Sequence, residues 1–306
     1  METEFSHRQI DVGGIELHVA ECGEGPLVVC CHGFPELWYS WRHQLPVLSA
    51  AGYRVVAPDQ RGYGASSRPE AIEAYDIVQL GDDILGLIDA LGEERAVVVG
   101  HDWGAIVGWY LAQAAPERLH GLAALSVPFW PRGPRPPTEM WKEQFKDQFF
   151  YMLHFQEPGV ADAQLDADPG ASLRFIFRRV SADVFDGTAD VPRVPGWLSE
   201  EDFAVYEAAF RRTGFTPALN WYRNVDRNWE VTAETATRRI DLPVAFAAGE
   251  RDPALRIFPV EPMPEWVPGL RESVLVPGAG HWIQQQAPTE TNDVLVRFLA
   301  GLELPR

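Results

Sequence analysis

The stretch Val97–Gly108, VVVGHDWGAIVG, decides how this chain folds. Three β-branched residues, Val97 to Val99, read as a buried strand that Gly100 ends, and Gly104 to Ala115 reads as a helix. His101, Asp102 and Trp103 must therefore turn sharply between the two. Gly100 and Gly104 stand two positions either side of Asp102, the Gly-x-Nu-x-Gly spacing of a nucleophile elbow. A side chain at either glycine would crowd the strained turn. Two readings of Asp102 stand side by side at this point. It caps the following helix, as aspartate commonly does, or its carboxylate replaces the usual serine as nucleophile.

Outward from the elbow, strands alternate with helices. Ile10 to Val19 alternates across Gly13-Gly14, the pattern of a hairpin of two edge strands. Leu27 to Cys31 is a continuous apolar run, expected of a central parallel strand, and it leads into the turn His32-Gly33-Phe34-Pro35. A helix carrying Trp38, Trp41, Leu45 and Leu48 is expected next, then a strand at Tyr53 to Ala57. The amphipathic stretch Tyr75 to Leu91 predicts a helix closed by Gly92, and Leu122 to Val127 predicts a strand. This order predicts an α/β fold with a mostly parallel central sheet and helices on both faces.

The rhythm breaks at PFWPRGPRPPT (Pro128 to Thr138), too rich in proline for regular structure. From Met140 to about Arg227 the pattern is helical and aromatic-rich. Strands at Leu242 to Ala247 and Glu272 to Val276, then a helix at Pro288 to Leu302, resume the first pattern. The expected organisation is a core of residues 1–130 and 235–306, split by a helical cap of residues 131–234. A helical insertion above the carboxyl ends of parallel strands commonly forms a lid over a ligand site.

Composition narrows the function. A hydrophobic fraction of 46% is that of a folded globular chain, and a net charge of −18 opposes nucleic acid and anionic membranes as partners. No apolar run is long enough to span a bilayer, and METEFSHRQI lacks a signal-peptide core, so a cytoplasmic protein is expected. Cys22, Cys30 and Cys31 read as free thiols, and no histidine falls at metal-ligand spacing with a cysteine or another histidine.

An Asp102 nucleophile needs an acid and then a histidine later in the chain. Asp252 follows one late strand in GERDP, and His281 follows the next in PGAGHW, both at carboxyl strand ends. A loop aspartate or histidine taken singly is more often a turn residue, but the three share one sheet edge in the right order. The backbone N–H groups of Trp103 and Phe34 are the expected oxyanion-hole donors, with a cis bond at Pro35 a way to aim Phe34.

With those pieces in place, HGFPE (His32 to Glu36), DQRGYGASS (Asp59 to Ser67), GHDWG (Gly100 to Gly104) and GHWIQ (Gly280 to Gln284) resemble the epoxide hydrolases of the α/β-hydrolase fold. YMLHFQEPG (Tyr151 to Gly159) and NWYRN (Asn220 to Asn224) are similar to that family's lid motifs. The resemblance implies that Tyr151 and Tyr222 assist ring opening and that the substrate partners are a small hydrophobic epoxide and water. No cofactor or metal is implied, and a homo-oligomer is left open. The chemistry of the ring favours an aspartate over a serine. A serine attacking an epoxide would leave an ether, whereas a carboxylate leaves an ester that water can cleave. Phenols of pKa about 10 can then assist the leaving alkoxide. Phe155 is expected beside Trp103 and Phe34 in the substrate pocket, with Phe149 packed in the core or pocket, and His101 is read as structural.

The main alternative is a haloalkane dehalogenase, which uses the same ester but needs no pair of phenols. A fluoroacetate dehalogenase would place a cation where Trp103 stands. A catalytically silent ligand-binding member of the fold would have no need of Asp102, Asp252 and His281 together.

Overall fold

The computed structural model describes residues 5–178 and 193–304. Eight strands form one sheet in the order β1-β2-β4-β3-β5-β6-β7-β8. They are β1 (Ser6–Asp11), β2 (Glu16–Cys22), β3 (Leu27–Cys31), β4 (Arg54–Pro58), β5 (Ala96–His101), β6 (Leu119–Leu125), β7 (Val244–Gly249) and β8 (Leu270–Val276). β1 with β2 and β2 with β4 are antiparallel, and all later pairs are parallel.

The central strands are buried on both faces, and their alternation divides the core. Val29, Cys31 and Val98 belong to one apolar cluster, while Val28, Cys30, Val97 and Val99 belong to the other. Helices cover both clusters, as uninterrupted β-branched runs require. Helix α1 (Leu45–Ala50) and the closing helix Pro288–Ala300 lie over the second cluster; α2 (Ile77–Ala90) and α3 (Trp103–Ala114) lie over the first.

Two local expectations need correction. The helix expected across Trp38 to Leu48 is broken into a single 3₁₀ turn, Trp38–Trp41, and α1. Pro46 sits in the first turn of α1, where its missing N–H costs nothing, but its ring would clash with a continuous helix from Trp38. The Gly13-Gly14 hairpin forms, yet only β1 is an edge, because β2 also pairs with β4 through Val19 to Cys22.

Between β6 and β7 the described residues contain helices and loops and no strand. They include α4 (Pro137–Gln144), α5 (Tyr151–His154), α6 (Val160–Ala167), α7 (Pro169–Arg178), α8 (Glu200–Thr213), α9 (Thr216–Arg223) and α10 (Val225–Val231). Residues 179–192 of the expected cap lie outside the described residues. No helix among the described residues is long and apolar enough to cross a membrane.

The turn from β5 into α3 is a matter of clearance. A Cβ on Gly104 would stand 2.0 Å from the Cys31 carbonyl oxygen, and one on Gly100 would stand 2.2 Å from the Gly104 oxygen. Gly104→Ala is therefore expected to destabilise the fold by about 1–3 kcal/mol, the usual range of core overpacking. Urea unfolding checks this, and an unchanged midpoint would mean that the backbones are not in this contact.

Candidate active site

Asp102 occupies the point between β5 and α3 with φ 52° and ψ −117°. Such a conformation costs a non-glycine residue about 1–3 kcal/mol and persists only where its surroundings enforce it. The capping interpretation fails, because the Asp102 side chain makes no capping hydrogen bond. Its Oδ1 instead accepts the Phe34 N–H at 2.9 Å, and its Oδ2 lies 3.5 Å from Nε2 of His281. Gly33 is needed here, since a Cβ on it would meet the Asp102 carboxylate at 2.4 Å. The Phe34–Pro35 bond is cis. Trp103 opens α3, where first-turn N–H groups have no intrahelical acceptor.

His281 lies in the loop after β8, with Nδ1 3.1 Å from both carboxylate oxygens of Asp252. Asp252 is held in turn by the Ala254 N–H at 2.8 Å. Burial opposes charge on both. For His281 the Asp252 carboxylate, joined by Asp102, outweighs burial and raises the imidazole well above its ordinary 6.5. For Asp252 burial is outweighed chiefly by His281, which holds the carboxyl below 3.8. Asp102, Asp252 and His281 are thus brought together from three loops at one sheet edge.

The lid supplies the opposite wall. Tyr151 opens α5 and Tyr222 lies in α9, their rings 6.1 Å apart and nearly perpendicular. Tyr222 stands edge-on to Trp103 at 5.1 Å and to Phe34 at 5.3 Å. Burial first, then the Asp102 charge, raises both phenols far above their ordinary range, so both remain neutral donors. Phe155 is buried against Phe34, Tyr151 and Tyr222 and faces the same cavity, which holds about 350 Å³. Phe149 departs from expectation: it is 39% exposed, its ring tilted against His154, and neither core nor pocket.

Several residues beneath the site had no role assigned from sequence. Glu36 is fully buried and accepts from Gly33 N, Gln284 Nε2 and Gln285 Nε2 at 2.8–3.0 Å. Its Oε2 is also 2.6 Å from Nδ1 of His101. Burial resists the charge, but His101, the Gly33 N–H and His32 hold the Glu36 carboxyl at about 2. Its stabilisation is complete above its ordinary 4.5 and is lost as pH falls toward 2. Nε2 of His101 faces the His281 carbonyl at 2.8 Å and must donate to it, since a carbonyl only accepts. Ser126, itself at φ 69°, donates to the same carbonyl at 2.6 Å. His101 therefore props the loop of His281, as a structural role requires. The polar residues of NWYRN tie down α9: the Trp221 indole donates to Arg61 O, Asn224 to Ile72 O, and Arg223 pairs with Asp162. A buried glutamate next to a tight turn, and polar residues crowded around a lid tyrosine, were the available signals.

An aspartate at a strand-to-helix elbow, a buried acid–histidine pair after late strands and a backbone N–H donor at the β3 turn together have the arrangement of an α/β hydrolase. Comparison agrees, since the model of the α/β-hydrolase fold family matches residues 26–288. Epoxide hydrolase A of Mycobacterium tuberculosis is 49% identical, covering 98% of this chain and 98% of its own. The crystal structure of Epoxide Hydrolase A from Mycobacterium thermoresistibile superposes with a TM-score of 0.94 at 48% identity, covering 99% of this chain and 100% of that one. The epoxide hydrolase of Vigna radiata follows at 0.91 and 40%, covering 97% and 98%. The chain belongs to the epoxide hydrolases of the α/β-hydrolase fold.

Histidine NMR on the resting protein is expected to find His281 doubly protonated well above pH 6.5, because its raised pKa retains the proton. Asp252→Asn is expected to move that midpoint down. A neutral His281 at pH 6.5 in the unaltered protein would contradict the electrostatics described.

Proposed function

We propose that the chain converts epoxides to vicinal diols through an ester on Asp102. One observation carries the reading: the Asp102 carboxylate stands between the Phe34 N–H and His281, and two lid phenols, Tyr151 and Tyr222, line the same cavity.

In the first step an Asp102 oxygen attacks a ring carbon and the carbon–oxygen bond of the epoxide breaks. Tyr151 and Tyr222 hydrogen-bond the departing oxygen and pass it a proton, help that typically contributes 10²–10⁴-fold. Esterification removes the Asp102 charge, one of the two carboxylate charges that keep His281 protonated. The proton that His281 then releases replaces the one the phenols gave. The imidazole is left neutral, as a base must be.

In the second step His281 takes a proton from water as the water oxygen adds to the Asp102 carbonyl carbon. The N–H groups of Phe34 and Trp103 hold the oxyanion, an interaction worth about 2.7–4 kcal/mol per donor in comparable sites. Collapse expels the second diol oxygen with the remaining proton of the former water. Asp102 is again ionised and His281 again protonated. The dehalogenase alternative has no use for two phenols over the nucleophile, and no separate observation favours it. The three free cysteines, two of them buried, support a reducing, cytoplasmic setting.

Two measurements test this mechanism. His281→Gln mixed with styrene oxide is expected to gain the mass of one epoxide, mapped to Asp102, because alkylation survives and hydrolysis does not. Protein that remains unmodified across a panel of epoxides yet is alkylated by a haloalkane would transfer the reading to the dehalogenases. Tyr151→Phe and Tyr222→Phe are each expected to slow single-turnover alkylation by about 10²-fold, with the double variant nearly inactive. Unchanged alkylation in the double variant would reduce these tyrosines to packing.

A further inference from the structure

The carboxyl end of β6 holds a backbone outlier beside the site. Ser126 is fully buried at φ 69°, and the Val127 N–H turns back to the Leu125 carbonyl at 2.8 Å. A three-residue turn closed by such a bond around a residue of positive φ is a γ-turn of the rare, strained kind. Glycine reaches that φ freely, so a serine there costs energy that glycine would not. What serine adds is a hydroxyl.

That hydroxyl is aimed at the His281 loop, where Oγ donates to the His281 carbonyl at 2.6 Å. The same carbonyl accepts from Nε2 of His101 at 2.8 Å and from the Ile283 N–H at 2.9 Å. Three donors therefore converge on an atom with two lone pairs. Ile283 belongs to the loop's own continuation, so His101 on β5 and Ser126 after β6 are the two that tie this carbonyl to the sheet. The turn also reaches Asp102 and the strand before Asp252. The Leu125 carbonyl accepts the Asp102 N–H at 3.3 Å, and the Ser126 N–H donates at 2.8 Å to the carbonyl of Ala247 on β7, the strand that leads to Asp252. From α3 the Trp109 indole donates to the Val127 carbonyl at 3.0 Å and fixes the turn from the other side. All of the turn's own atoms in these contacts are backbone except one, the Ser126 hydroxyl on the residue that carries the imidazole.

Resting on the epoxide reading above, we propose that Ser126 is a positioning residue for the second step, hydrolysis of the ester. Its hydroxyl holds the His281 backbone so that Nε2 faces the water beside the Asp102 ester, and the strained turn aims that hydroxyl. Ring opening makes no such demand, because Asp102 and the two phenols carry it.

Ser126→Ala and Ser126→Gly separate the hydroxyl from the strain: both lack the hydroxyl, and only glycine relieves the turn. Single-turnover kinetics with styrene oxide reads ester formation and ester hydrolysis separately, and histidine NMR reads the His281 midpoint. Both variants are expected to hydrolyse the ester about tenfold more slowly, part of the roughly 10²-fold that a 1 Å misplacement can cost, with ester formation within about twofold of the unaltered rate. The His281 midpoint is expected to fall in both, because an imidazole that drifts from Asp252 loses the partner that keeps it protonated. Hydrolysis at the unaltered rate in either variant overturns the proposal, and so does an equal slowing of both steps, the mark of a general loss of structure. If the unaltered protein forms no ester with any of a panel of epoxides, the epoxide reading falls, and the midpoint alone then decides: one value shared by all three proteins overturns the positioning role.

Discussion

The close approach of Gly104 to the Cys31 carbonyl is the constraint on which the site depends. It lets α3 start almost on top of the end of β3, so the chain leaving β5 must reverse within one residue. Asp102 absorbs that reversal at positive φ, and its side chain is thereby thrust clear of the sheet edge. The β3 turn lies under the same helix start, which brings the Phe34 N–H to the carboxylate without a long loop. The Asp102 carboxylate and the Phe34 N–H are positioned by one contact between two backbones, and strain at Asp102 is its cost.

Around this point charge is handled as a linked set. Asp252 and Asp102 both favour a proton on His281, and both phenols are kept neutral partly by Asp102. Consuming one negative charge consequently changes the acid–base character of the whole pocket. Beneath it, Glu36 and His101 form a fully buried pair that braces the His281 loop from behind. Such a pair is tolerable because each polar atom of the Glu36 carboxylate has a donor, where an unpaired buried charge would be prohibitive.

Most of the sheet was legible because its strands are uninterrupted runs of Val, Leu, Ala and Cys, and its principal helices carry clear periodicity. Asp102, Asp252 and His281 were legible as a set through their order and their shared strand ends. The break at Pro46 was missed because the apolar spacing of Trp38, Trp41, Leu45 and Leu48 outweighed a single proline. Glu36, Ser126 and Arg223 carried no periodic signal, since their partners lie 65, 155 and 61 residues away. Phe149 reads as buried by residue type alone, and only tertiary placement shows its exposure. Long-range hydrogen bonding, more than secondary structure, was what the linear pattern concealed.

The two lid tyrosines are attached very differently. Tyr222 sits on α9, whose neighbours Trp221 and Asn224 bond directly to backbone carbonyls at Arg61 and Ile72 of the sheet domain. Tyr151 heads a helix of only four residues, surrounded by lid aromatics. In engineering terms, the boundary of an exchangeable module does not coincide with the chain's insertion points. A chimaera that replaces the lid must retain α9 with its recipient core, because Tyr222 keeps its register from that core, whereas the segment around Tyr151 can be traded along with the rest.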